Sequence, residues 1–309
     1  MASRRITVSE LLTHQDCPTK WKSLYVERRA GRKLSRALRL GTAFHELLAE
    51  ALRAWQLGVL EKDPTVWEEQ LARRMVEGLT EDEIAALGPG VVREARTLGF
   101  YAWTFFQGPL PFREVLAVEE AMEVPLSDKL TLVGTVDAVV RDEEKRIWHL
   151  QWKSLRATTN PVHYVRRIKR SLHEAAYGVL IRQAFPGEEY MGTRLQVFRK
   201  LPRTTRASGK LVERNPHEAI VGSDLCVNPA QEARAFRDIY GIIGRMAGES
   251  SPGAWTEQRE RSCFGAFGNA PCAFLDVCDG YTTLADPHLF EDWDPWKRYN
   301  VVEEDLVNG

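Results

Sequence analysis

"GTVDAVVRDEEKRIWHLQWKSL", Gly134–Leu155, decides how this chain folds. Its first half is a run of β-branched and apolar residues ending at Val140. The polar stretch Asp142–Lys145 has turn composition, and a second apolar run follows from Ile147. This is the pattern of two strands joined by a tight turn. Side chains alternate along a strand, so Gln151 and Lys153 share one face while Trp152 points to the other. If the turn pairs the two strands, Asp137 faces Gln151 and Lys153. An aspartate inside such a run is disfavoured unless it lies at an edge or has a task. A carboxylate beside a lysine suits a divalent cation, which takes oxygen ligands, and a water that attacks phosphorus. The plain alternative is a surface strand with an ordinary charge pair. Gln151 is a neutral amide where such a site calls for a second carboxylate.

Outward from this hairpin, "EVLAVEEAMEVPL" before it reads as one more strand, ending in the turn Leu126–Lys129. The first third of the chain is helical in pattern. Ser9 is placed to cap "ELLTHQD", and Pro18 suits the first turn of "PTKWKSLYVERR". "LRLGTAFHELLAEALRAWQLG" spaces Phe44, Leu47, Leu48, Ala51, Leu52 and Trp55 as one helix face, and helices follow over about 64–77 and 90–106. After the hairpin come the helix "SLHEAAYGVLIRQAF", a strand "GTRLQVFRK", a polar basic segment from Leu201 to Pro216, and the amphipathic helix "PAQEARAFRDIYGIIGRMAG". The order is that of an α/β domain of the α-β-β-β-α-β type. Three parts are expected: residues 1–110, helical, with Cys17 and His45; a core over 111–228; and a C-terminal helix, cysteine loop and tail over 229–309.

The 309 residues are 44% hydrophobic and 28% charged, as in ordinary globular proteins, with a formal net charge of −1. The N-terminus lacks the apolar core of a signal peptide, and no long apolar run suggests a membrane span, so a cytoplasmic protein is expected. Basic residues cluster despite the near-neutral total. Lys153, Arg156, Arg166, Arg167, Lys169 and Arg170 form one tract with no acidic residue between them. Arg194, Arg199, Lys200, Arg203, Arg206, Lys210 and Arg214 form a second, and Arg28, Arg29, Arg32, Lys33, Arg36 and Arg39 a third. Such tracts suit a phosphate-lined partner in a groove, or else are solvated faces.

Glu119, in "AVEEAM", is a further carboxylate on the strand before the hairpin, or a solvated edge residue. His45 lies on the apolar side of its helix, where a histidine is commonly a satisfied core residue. His173 and Tyr177 are one helical turn apart in "HEAAY". The order "GxxxH", "GxxD", "QxK", "HxxxY" resembles the RecB-like branch of the PD-(D/E)XK nuclease superfamily. There a helix histidine, a strand aspartate, an acidic residue-x-lysine and QxxxY occur in that order. The resemblance implies a restriction-endonuclease-like core, a small mixed sheet flanked by helices. It makes His45 and Asp137 ligands of Mg²⁺ or Mn²⁺, with Gln151 at the third ligand position. Lys153 becomes the catalytic lysine, and Tyr177 and His173 contacts near the DNA backbone. Two positions depart from the pattern: Gln151 replaces Asp or Glu, and His173 replaces Gln.

Five cysteines in a chain without a secretion signal suggest a metal or cluster site more than disulfides. Cys263, Cys272 and Cys278 have the spacing C-x8-C-x5-C, and Cys17 precedes Pro18 far upstream. This is not the pairing of two CxxC knuckles. It resembles the iron-sulfur staple of RecB-like nucleases related to AddB and the CRISPR-associated exonucleases, with one cysteine before the core and three after it. That resemblance implies a [4Fe-4S] cluster closing the two ends of the chain on each other. Zinc on the same thiolates, or buried free thiols, are the alternatives; Cys226 is left over as a core or strand-end residue.

The resulting expectation is a metal-dependent nuclease acting on DNA that is single-stranded or has free ends, with Arg166, Arg167 and Arg170 among the groups holding the strand. A helicase, recombination or adaptation protein is the kind of partner the resemblance implies. A silent DNA-binding subunit that keeps the fold is the second reading, and a redox protein the weakest.

Overall fold

The computed structural model describes residues 4–31, 36–88, 90–169, 171–201, 204–205, 211–212, 216–226, 228–249, 272–278 and 282–296. The chain opens with β1 (Arg4–Thr7) and α1 (Val8–Asp16), where Thr7 rather than Ser9 is the cap, its hydroxyl accepting the Glu10 N–H at 2.9 Å. Pro18 starts α2 (Pro18–Trp21), which passes into a π-helical turn, Lys22–Val26, and then β2 (Arg29–Gly31). The helix that "PTKWKSLYVERR" suggests is therefore cut short. The Ser23 hydroxyl donates to the Thr19 carbonyl at 3.1 Å, and Arg28 turns the chain with φ 52°.

Helices α3 (Arg36–Gln56), α4 (Pro64–Val76), α5 (Glu81–Ala86) and α6 (Val91–Gln107) follow, then β3 (Glu114–Ser127), β4 (Leu130–Arg141) and β5 (Ile147–Arg156). The crossover helices α7 (Pro161–Ile168) and α8 (Leu172–Ala184) lead to β6 (Tyr190–Lys200). The rest comprises β7 (Thr204–Thr205), β8 (Leu211–Val212), α9 (Pro216–Ala219), β9 (Ile220–Cys226), α10 (Pro229–Glu249), α11 (Leu275–Cys278) and β10 (Phe290–Asp292).

Six strands form one mixed sheet in the order β1-β4-β5-β6-β9, with β3 also on β4. β3 and β4 pair antiparallel over nearly their full length. The opposite edge of β4 is shared: Leu130–Val133 pair in parallel with β1, and Ala138–Arg141 pair antiparallel with β5. Between those ladders lies Gly134–Asp137, at the fork where β1 and β5 part.

Each face of the sheet carries helices. Trp148, Leu150 and Trp152 of β5 pack with Phe198 of β6 and with Phe44, Leu48, Leu52, Leu98 and Phe106 from α3 and α6. The rings of Phe44 and Phe198 meet edge to face at 5.0 Å. On the other face, Ile6, Leu11, Leu132, Val136, Leu180 and Ile242 bring α1, α8 and α10 onto the sheet. Each such side chain contributes about 1.5–3 kcal/mol on burial. Gly134 belongs to this face: a Cβ there would lie 2.5 Å from Leu180 Cδ1, 3.0 Å from Val8 and 3.2 Å from Tyr177. The glycine of "GxxD" lets α8 close on the fork.

The β4–β5 turn is tied by one carboxylate. Asp142 accepts the Arg146 backbone N–H at 2.9 Å, the Arg146 Nε–H at 3.0 Å and the Trp148 indole N–H at 2.9 Å. Burial alone would raise the Asp142 pKa, but the indole and Arg146 outweigh it and lower the value to about 2. A depressed carboxylate stabilises the fold above its unfolded pKa and loses that contribution as pH falls through the folded one. Asp142→Asn is therefore expected to cost about 2 kcal/mol at neutral pH. In chemical denaturation the gap to wild type should shrink as pH drops from about 4 to about 2; a gap constant across that window would refute the assignment.

Candidate active site

Three side chains from three elements converge at the fork. His45 lies on the flank of the buried α3 stripe formed by Phe44, Leu48 and Leu52. Its Nδ1 is 3.1 Å from Asp137 Oδ1. Asp137 Oδ2 accepts the Trp152 backbone N–H at 3.0 Å, so the carboxylate takes up a main-chain donor just beyond the end of the β4–β5 ladder. Glu119 completes the group: ligand atoms of His45, Glu119 and Asp137 all lie within 4.8 Å of one another.

Glu119 stands opposite Asp137, since Val118 pairs with Ala138 and Glu120 with Val136. Its φ is 49°, the left-handed region, inside an otherwise extended strand. For a residue with a Cβ this costs about 1–2 kcal/mol, the kind of cost retained at functional sites. Burial would raise the pKa of the 8%-exposed Asp137, but the His45 imidazole and the Lys153 ammonium outweigh it and hold the carboxyl well below the usual carboxylate range.

A second polar group lies on the α8 side of the same strands. Gln151, 1% exposed, places its Nε2 at 3.2 Å from His173 Nδ1, and its Oε1 has no hydrogen-bond partner among the described residues. His173 Nδ1 is also 3.1 Å from Glu174 Oε1, and the Thr193 hydroxyl donates to the other oxygen of Glu174. Tyr177 sits between two imidazoles, its ring centroid 4.7 Å from His173 and 5.1 Å from His149. Burial lowers the pKa of His149 to about 4, so it is neutral at physiological pH.

The sequence reading did not single out His149, Glu174 or Thr193. His149 was within reach of it, being two residues before Gln151 and so on the same face of β5. Glu174 and Thr193 gave no such signal.

The basic tracts separate into two kinds. Arg36 pairs with Glu94, Arg39 bonds the Met75 and Glu77 carbonyls, and Arg29 pairs with Asp292. Arg194 stacks on Trp148 at 4.3 Å, Arg199 bonds the Ala157 carbonyl, and Lys200 pairs with Glu94. These described members of two tracts serve internal contacts. Arg166, Arg167 and Lys169 remain exposed at the end of α7. Arg170, Arg32, Lys33, Arg203, Arg206, Lys210 and Arg214 lie outside the described residues.

Of the cysteines, Cys17 is buried between α1 and α2, Cys272 and Cys278 are half-buried around α11, and Cys226 is exposed at the end of β9. Cys263 lies outside the described residues. The segment carrying Cys272 and Cys278 docks beside the N-terminal helices. β10 pairs antiparallel with β2, the Phe274 and Phe290 rings stack at 5.6 Å, and Trp293 meets Tyr25 edge to face at 5.0 Å. Gly31 touches Ala273 so closely that a Cβ there would stand 2.7 Å from that of Ala273.

A strand aspartate, a lysine on the neighbouring strand and a helix histidine, at the fork of a mixed sheet flanked by helices, define a nuclease fold. The chain belongs to the PD-(D/E)XK nuclease superfamily, whose sequence profile matches residues 5–279. Among solved structures, one from Eubacterium rectale, provisionally named an exonuclease, aligns over 99% of this chain and 93% of its own at 13% identity and a TM-score of 0.41. The protein SSO0001 aligns over 66% of this chain and 87% of its own at 16% identity and a TM-score of 0.27. No curated protein matches the chain. Among the described residues no helix is long and apolar enough to cross a membrane.

The superfamily hydrolyses phosphodiesters with a divalent cation, and the donor set fits one. Ligands about 2.0–2.1 Å from Mg²⁺ stand about 3 Å apart when adjacent and about 4 Å apart when opposite. An imidazole nitrogen and two carboxylates already within 4.8 Å need only small adjustments to share such an ion.

Proposed function

We propose that this protein is a DNA exonuclease or end-processing enzyme of the RecB-like branch, acting on single strands and carrying a structural [4Fe-4S] cluster. The observation that carries the hydrolytic reading is the convergence of His45, Glu119 and Asp137 at the fork, with Lys153 acting electrostatically on Asp137. Bound there, Mg²⁺ or Mn²⁺ would supply Lewis-acid polarisation of the scissile phosphate and a more acidic water. Asp137 and His45 hold the ion, and the Trp152 N–H fixes the Asp137 carboxylate. Lys153 places the attacking water and offsets the charge that builds on phosphorus. Tyr177 and His173, at the same end of α8, and Arg166 and Arg167 on α7 hold the strand.

The cluster reading is supported by the docking of the Cys272–Cys278 segment next to the elements that follow Cys17. A helicase or a recombination or adaptation protein is the partner proposed. The neutral Gln151 favours one other reading, a silent DNA-binding subunit.

The deciding assay is cleavage of end-labelled single-stranded DNA with Mg²⁺ or Mn²⁺, and with EDTA as control. Loss of label dependent on the cation is expected; binding without cleavage under both cations would favour the silent subunit. Binding should weaken with salt, because phosphate contacts release counterions. Arg166→Glu together with Arg167→Glu should reduce affinity at least about tenfold and flatten the salt dependence by roughly two phosphate contacts. An unchanged salt slope would remove α7 from the interface.

A further inference from the structure

We infer that the acidic metal ligand which the superfamily carries two residues before its lysine has been relocated in this chain from β5 to β3, where Glu119 supplies it. The inference rests on the metal-dependent reading above and adds the residue that makes good its missing charge.

Gln151 occupies the expected position but is neutral, and its amide nitrogen is engaged by His173 on α8. The charge has to come from elsewhere if Asp137 is not to be the lone carboxylate on the cation. Glu119 is placed to provide it. It stands across the β3–β4 ladder from Asp137, whereas Gln151 lies one residue beyond the last β4–β5 pair, Ala138 with Leu150, and turns to His173. Of the two side chains, Glu119 is the one that shares a cluster with Asp137 and His45.

The backbone agrees with this assignment. The ladder keeps its register on both sides of Glu119, yet that residue alone turns to positive φ, which re-aims its side chain without inserting a residue. A solvated edge glutamate has no use for such a turn. Gln151 is then free to act as a positioning residue, its amide tying β5 to His173 on α8.

The test is Mn²⁺ binding to the metal-free protein by calorimetry, read beside the thermal midpoint of each metal-free variant. Glu119→Gln keeps the side chain's shape and removes its charge. It should weaken Mn²⁺ at least about tenfold, with a midpoint no lower than wild type. Glu119→Gln combined with Gln151→Glu returns the carboxylate to β5 and should restore affinity to within about threefold of wild type. Gln151→Glu alone should bind Mn²⁺ more tightly than wild type, and Glu119→Gln should cost less in that background. If Glu119→Gln stays within twofold of wild type while Asp137→Asn loses Mn²⁺, Glu119 is not a ligand and the hydrolytic reading stands without it. A double variant as weak as Glu119→Gln would overturn the exchange of positions. If wild type neither binds Mn²⁺ nor cleaves DNA, the functional reading falls and this inference with it.

Discussion

Asp137→Ala is expected to leave less than about a thousandth of wild-type cleavage, while binding of single-stranded DNA at low salt persists. The size of the effect follows from charge. A +2 ion and a −1 carboxylate about 4 Å apart attract by roughly 8 kcal/mol at an effective dielectric of about 20, and dehydration cancels much of that. A surviving 4 kcal/mol, roughly, corresponds to about a thousandfold in rate. Asp137 is the member of the site that every other group addresses: His45 touches one oxygen, the Trp152 N–H holds the other, and Lys153 acts on its charge. Alanine would also strip the Trp152 N–H of its acceptor, an unsatisfied buried donor costing about 1–3 kcal/mol. Asp137→Asn is the necessary companion, because it keeps an oxygen for that N–H while removing the charge. Equal loss of cleavage in both, with stability kept in the asparagine variant, assigns the loss to chemistry. Cleavage within tenfold of wild type in Asp137→Asn would place the metal centre elsewhere.

The hairpin that organises this site was legible because its signals are local. Two β-branched runs and the turn Asp142–Lys145 are read from neighbouring residues, and the alternation of Gln151, Trp152 and Lys153 follows from the strand period. What was not legible depends on residues far apart in the chain. β1 is four residues, "RRIT", with no alternation of its own, and exists as a strand because β4 offers it an edge. β9 follows a basic segment and alternates only weakly; β6 recruits it. Gly134 carries no visible reason in the sequence until α8 lies across it. Glu119 was marked as a carboxylate of uncertain use, and what distinguishes it from Glu120 is a left-handed φ and the arrival of His45 from α3. The tract Arg28–Arg39 looked like a nucleic-acid surface, yet Arg36, Arg29 and Arg39 found Glu94, Asp292 and a backbone carbonyl within the same fold. Charge composition cannot separate these uses, because an arginine pairs as readily with an internal carboxylate as with phosphate.

Cys17→Ala is expected to abolish iron binding and to release the C-terminal segment from the body of the protein. Anaerobically purified wild type should be brown, with a broad visible absorbance and about four irons per chain. Cys17 is 2% exposed, so a ligand supplied there would be held rigidly by α1 and α2. The segment that would bring its partners meets the body mainly along Arg28–Gly31: a three-residue pairing of β10 with β2, the Arg29–Asp292 ion pair, Arg29 donating to the Leu284 and Phe290 carbonyls, the close approach of Gly31 to Ala273, and the Tyr25–Trp293 rings. Two paired three-residue strands are marginal by themselves in water. Structural metal sites contribute on the order of 10 kcal/mol to the folding of the segments they join. Without its cluster the C-terminal segment should therefore detach, and limited proteolysis should cut between residues 272 and 296 at least about a hundredfold faster than in wild type, since about 2.7 kcal/mol of lost protection suffices for that factor. Cys263→Ala should behave like Cys17→Ala. Cys226→Ala, at an exposed strand end, should keep both iron and protease resistance. A colourless wild type with one zinc per chain would replace the cluster by a zinc site on the same thiolates. Retention of all iron in Cys17→Ala would show that the two ends of the chain are not joined through that residue.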